Sequence, residues 1–76
     1  MSEVEFIDIF ADNLRDLMRS QGISQRELSR ESGVDNAAIS RYLKKERMPT
    51  VKSLINIGLA LDCDLDDLIP FYDFIH

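Results

Sequence analysis

Apolar residues recur along this chain at three- and four-residue steps, but Gly22, Gly33, the segment Glu46-Arg47-Met48-Pro49 and Pro70 cut the pattern into short pieces. That punctuation predicts five short helical segments separated by tight turns, with no internal repeat and no low-complexity linker. At 76 residues the chain can close one hydrophobic core, burying roughly 60% of its unfolded surface, so a single domain is expected over 1–76. Its core would run from about 6 to 69, followed by an apolar tail, 70–76. No apolar run approaches the roughly 20 residues that span a bilayer. The start, Met1-Ser2-Glu3-Val4-Glu5, is acidic where a secretion signal would be basic, which points to the cytoplasm.

The first helix is expected over about 3–20, with Phe6, Phe10, Leu14 and Leu17 on one face and Ile7 and Met18 beside them. Ser2 and Glu5 have capping-box spacing and Gly22 can end the helix, although the alternation in Glu3-Val4-Glu5-Phe6 would also suit a short strand. Ser24-Gln25-Arg26-Glu27 is a capping box that opens a second helix, and Gly33 closes it. A third helix starts with Asp35 as its cap and runs to about Lys45, burying Ile39, Tyr42 and Leu43 and showing Asn36, Ala37, Ser40, Arg41 and Lys44. Thr50 caps a fourth, expected to turn Val51, Leu54, Ile55, Ile57 and Leu61 inward, and Asp64 a fifth holding Leu65, Leu68 and Ile69. Pro70 must bend or stop that last helix.

The net charge of −5 hides an uneven distribution. All nine basic residues lie between Arg15 and Lys52 with only five acidic ones, a local surplus of four, and the other nine acidic residues sit at the two ends. A basic centre between acidic flanks suits a surface that meets a polyanion, or is simply solvated charge. With one Cys, one terminal His, no metal-ligand cluster and no Gly-rich phosphate loop, the sequence offers no catalytic constellation, no metal site and no expected cofactor or small-molecule ligand. Cys63 reads as a structural thiol.

The second and third segments, joined by Gly33-Val34, form a helix-turn-helix candidate. Around it stand Leu14-Arg15-Asp16-Leu17, Gly22-Ile23-Ser24-Gln25-Arg26-Glu27-Leu28, Ser32-Gly33-Val34, Ala38-Ile39-Ser40-Arg41-Tyr42, Pro49-Thr50, Leu54 with Ile57, and Leu61 through Leu65-Asp66-Asp67-Leu68. In that order these resemble the lambda-repressor-like helix-turn-helix family: phage repressors, Cro proteins, the xenobiotic-response-element type and related bacterial regulators. The resemblance implies an all-α, compact five-helix DNA-binding domain and a transcriptional regulator whose third helix enters the major groove of a double-stranded operator. Asn36, Ala37, Ser40 and Arg41 would then face base edges, where Asn suits adenine, Arg suits guanine and an Ala methyl suits thymine. Gln25, Lys44, Lys45, Arg47 and Lys52 would contact phosphates, with a local helix cap as the other reading of Gln25.

Three positions depart from the family pattern. Lys45 stands where a Gly is common, and a left-handed residue there would cost on the order of 1–2 kcal/mol unless the turn differs. Leu43 replaces a common Glu and suits packing, while Met18 replaces an often basic residue and would thin the phosphate-facing charge. Family members pair so that protein symmetry meets operator symmetry, and the expected homodimer surface is helix five with the tail: Leu65, Ile69, Phe71, Tyr72, Phe74 and Ile75. Folding of that tail back onto helix one is the competing reading. At the level of function, the competitor is a protein-interaction module of the same fold that docks on another regulator with little DNA affinity.

Overall fold

The computed structural model describes residues 2–69. The chain forms α1 (Glu3–Gln21), α2 (Gln25–Ser32), α3 (Asn36–Leu43), α4 (Val51–Ala60) and α5 (Leu65–Leu68), and no strand occurs among the described residues. The expected all-α fold is therefore present, and the strand alternative at 3–6 is not adopted. Capping chemistry sets most helix starts. Ser2 accepts from the Glu5 N–H at 3.2 Å, Ser24 from the Glu27 N–H at 3.1 Å and Thr50 from the Ser53 N–H at 3.1 Å. Each satisfies a donor that the first turn of a helix leaves without a partner. Asp35 departs from expectation, since its side chain makes no capping bond and α3 starts without one.

Three helices end on one backbone device. After α1, the Ile23 N–H returns to the Met18 carbonyl at 3.0 Å around a left-handed Gly22 (φ 65°). After α3, the Glu46 N–H returns to Arg41 at 2.9 Å around Lys45 (φ 64°), and after α4, Cys63 returns to Gly58 at 3.0 Å around Asp62 (φ 50°). These are Schellman closures, in which the left-handed position favours glycine. At Lys45 the turn therefore keeps its geometry and a lysine occupies it.

Helix α1 acts as a strut. It packs on α3 and α5, α2 packs on α3 and α4, and α4 packs on α5. From α1, Arg15 Nη2 donates to the Leu43 carbonyl at 3.0 Å, Gln21 Nε2 to Leu61 at 2.7 Å and Asn13 Nδ2 to Leu68 at 2.9 Å. Those acceptors lie at the C-terminal ends of α3, α4 and α5, where carbonyls lack intrahelical partners. One helix thus fixes the ends of three others.

The most deeply buried side chains are Phe10 and Leu14 from α1, Leu28 from α2, Ile39 from α3, Ile57 and Leu61 from α4 and its cap, and Leu68 from α5. Every helix contributes, at roughly 1.5–3 kcal/mol per buried side chain. Phe10 and Tyr42 meet edge to face with ring centroids 5.7 Å apart at 70°, an arrangement that suits the ring quadrupoles. Met18 and Leu43 also lie in this core. Leu43 packs as expected, and Met18, although buried, also lines the shallow cleft that holds Arg15, Arg19 and Gln25.

Helix α4 corrects the expected inward set. Leu54, Ile57, Gly58 and Leu61 face the core, but Val51 and Ile55 point outward together with Leu59. The buried side is the one that packs on α2 and α5, where Leu68 passes close to Gly58. With apolar residues on two faces, the pattern of α4 alone does not say which face is buried.

Candidate nucleic-acid interface

The junction between α2 and α3 is held by two serines. Ser29 Oγ donates to the Val34 carbonyl at 2.6 Å, and the buried Ser32 accepts from the Val34 N–H at 3.1 Å. Gly33 (φ 73°) turns the chain between them, and Val34 inserts into the core with Leu28 and Ala38. Polar and apolar contacts thus fix the angle at which α3 leaves α2.

Ala38, Ile39, Tyr42 and Leu43 anchor α3 from below, the buried face expected from the sequence with Ala38 added. The opposite face presents Asn36, Ala37 and Arg41 to solvent, with Ser40 half-buried between them and Lys44 one turn on. Among the described residues, the side chains of Asn36, Ser40, Arg41 and Lys44 have no hydrogen-bond or ion-pair partner. Donors and acceptors on an exposed helix face, with nothing among the described residues to satisfy them, can recognise an external ligand that offers complementary edges.

Basic groups border this face unequally. Arg47 and Lys52 line one open groove of about 460 Å³ with Asp35, Thr50 and Asn56, so the structure brings these two expected phosphate residues together. On the other side, half-buried Gln25 at the first position of α2 shares a shallow cleft of about 240 Å³ with Arg15 and Arg19. Arg19 was not among the residues singled out in the sequence; its signal is a basic residue in the last turn of α1, just before Gly22. Arg15 in that cleft is engaged by the Leu43 carbonyl.

Lys45 is different again. Its Nζ lies 3.2 Å from Asp12 and 3.5 Å from Asp8, both on α1. The hydrogen bond that its ammonium donates to Asp12, then the charges of Asp12 and Asp8, hold its pKa above the ordinary lysine value. The N-terminal acidic flank thus reaches the exit of α3 and engages one of the expected phosphate contacts.

Of the expected pairing surface, Leu65 is 38% exposed, whereas Ile69 is 7% exposed and belongs to the core. Phe71, Tyr72, Phe74 and Ile75 lie outside the described residues. No group of His, Cys, Asp and Glu among the described residues could hold a metal ion. No helix among them is long and apolar enough to cross a membrane.

Comparison with known proteins bears on the same segment. The helix-turn-helix family model HTH_3 matches residues 14–68. An uncharacterized HTH-type transcriptional regulator of Bacillus subtilis, YqaE, is 31% identical over 61 residues, which are 80% of this chain and 53% of that protein. The chain thus spans about half the length of this curated relative. Among solved structures, an HTH_3 family transcriptional regulator from Vibrio cholerae superposes with a TM-score of 0.85 at 25% identity, over 88% of this chain and 38% of that one. The restriction-modification controller protein C.AhdI from Aeromonas hydrophila gives 0.79 at 25% identity, over 83% of this chain and 96% of that one.

Proposed function

This chain belongs to the helix-turn-helix family HTH_3, and we propose that it is a sequence-specific DNA-binding regulator of transcription that lays α3 in the major groove of an operator. The observation that carries the reading is the outward face of α3, where Asn36, Ser40 and Arg41 keep their polar groups without partners among the described residues while the opposite face is locked into the core. In this reading Asn36 and Arg41 make bidentate contacts to base edges and Ala37 and Ser40 fit between them. Gln25 with Arg19 on one side, and Lys44, Arg47 and Lys52 on the other, take phosphates and set the register. Lys45, held by Asp8 and Asp12, meets a phosphate only by leaving those carboxylates.

One copy covers a half-site, so the regulator acts as a homodimer on two half-sites about 34–36 Å apart. Fluorescence anisotropy with a random-sequence DNA pool at two salt concentrations, followed by sequencing of the bound fraction, tests the proposal. An inverted repeat should emerge, bound with a log–log salt slope of about −0.9 per neutralised phosphate. Salt-insensitive behaviour at every concentration would sink it and favour a module that docks on another regulator.

A further inference from the structure

We propose that Asp8 and Asp12 of α1 regulate DNA binding from within the chain: their carboxylates occupy Lys45 as a phosphate would, so DNA must displace them before this lysine can serve. The inference deepens the DNA-binding reading and rests on it. Lys45 Nζ sits 3.2 Å from Asp12 and 3.5 Å from Asp8, and these are the only ion pairs among the described residues. All nine basic residues of the chain fall within the described part, so one is held by carboxylates and eight are not. The adjacent Lys44 is exposed and has no partner among the described residues. Two consecutive lysines at the exit of α3 thus differ in whether their charge is free.

The contact is built into both elements. Asp8 and Asp12 stand one turn apart on the same face of α1, where like charges repel unless a cation lies beside both. Lys45 reaches them from a left-handed backbone (φ 64°), a conformation that favours glycine over any side chain. Carboxylate and phosphate oxygens compete for one ammonium with the same charge-assisted hydrogen bonds. Transfer of Lys45 to a phosphate releases counterions from the DNA, but it also leaves two bare carboxylates that gather cations again and repel the backbone. The exchange therefore adds little to the salt slope, where a free lysine such as Lys44 adds a full phosphate contact. The effect falls on the phosphate term common to all sequences and leaves the base contacts of Asn36 and Arg41 as they are. Asp8 and Asp12 thus set how tightly the regulator holds DNA rather than which sequence it reads.

Anisotropy titration of the full chain over a salt series, on its selected operator and on a random duplex, tests the exchange. The double variant Asp8→Asn, Asp12→Asn should bind both DNAs more tightly by the same factor, several-fold at low salt, with a log–log slope steeper by about 0.9. Adding Lys45→Ala to that variant should remove most of the gain. A gain of the same size with Lys45→Ala present overturns the proposal, because the acidic residues would then act by general repulsion. No gain in a chain that binds DNA overturns it while leaving the proposed function standing. A chain that binds no DNA in any form removes the proposed function and this inference with it. The held state is also read without DNA, by acetic anhydride labelling followed by mass spectrometry. Lys45 should acetylate more slowly than Lys44 in the wild-type chain, and the double variant should bring the two rates together. Equal rates in the wild-type chain overturn the proposal independently of any DNA result.

Discussion

Helices α3 and α4 face the core in the same manner and face outward in opposite ones. Each anchors itself with a central isoleucine, Ile39 or Ile57, fully buried in the one core. Outward, α3 shows Asn36, Ala37 and Arg41, whereas α4 shows Val51, Ile55 and Leu59. In a domain this small the inward positions are dictated by closing a single core, and they say little about role. The outward positions are less constrained by folding, so a polar face without partners among the described residues and an exposed aliphatic ridge are where a role beyond folding would be written.

The sharpest way to break this comparison lies within α4, where two isoleucines sit two residues apart on opposite sides. Ile57→Ala should cost about 2–5 kcal/mol in urea unfolding, the range for emptying a fully buried aliphatic site. Ile55→Ala should change the stability of the dilute chain by less than about 0.5 kcal/mol, as an exposed position does. Equal losses would mean that the ridge is covered within the monomer.

On α3 the comparison is between reading and holding. Asn36→Ala should lose about 1–3 kcal/mol for the preferred operator and nothing on random DNA, while leaving thermal stability unchanged. Lys44→Ala should weaken all sequences alike and flatten the salt slope by about 1. Equal losses of Asn36→Ala on both DNAs would remove that residue from base reading, and an unchanged slope would remove Lys44 from the phosphate set.

These faces were not equally legible. Helix starts at Ser2, Ser24 and Thr50 and stops at Gly22 and Gly33 could be read because capping is decided by a handful of neighbouring residues. The polar face of α3 was readable because its apolar positions leave only one face to bury. The direction of α4 was not, since Val51, Ile55 and Leu59 compete with Leu54, Ile57 and Leu61 as a core stripe and the choice depends on where α2 and α5 pack. The bonds from Asn13, Arg15 and Gln21 to distant helix ends were invisible for a related reason: they join residues 28 to 55 positions apart. Lys45 was flagged as a lysine at a position where the family often has glycine, but its attachment to Asp8 and Asp12 needed the fold.

That attachment allows the two exits to be compared directly, Lys45 after α3 against Gly22 after α1. Lys45→Gly relieves the left-handed backbone and removes the ion pairs; Lys45→Ala removes the pairs and keeps the strain. In thermal unfolding the glycine variant should therefore exceed the alanine variant at every salt concentration, and wild type should lose ground to the glycine variant as salt rises and screens the exposed pairs. Identical glycine and alanine variants would show that the turn carries no backbone strain.

The smallest effect distinguishes the two ends of the molecule by pH. Lys45 has a raised pKa, so its stabilising pairs are present at neutral pH and below its ordinary value and are lost as pH rises through the folded-state value. At the other end, burial first, then the carboxylates of Asp67, Asp64 and Asp62, push the Cys63 thiol up as well. A raised thiol pKa means that the folded chain holds its proton longer than the unfolded one, so this group also withdraws stability as pH climbs. The two contributions share a direction but not a cause, and thiol chemistry separates them. The pH midpoint for alkylation of Cys63 should lie higher in the native chain than in urea, because only the thiolate reacts. It should also stay put in Lys45→Gly, whose change is at the other acidic flank. Coincident native and unfolded midpoints would show that neither burial nor the acidic residues around α5 hold the proton on the thiol.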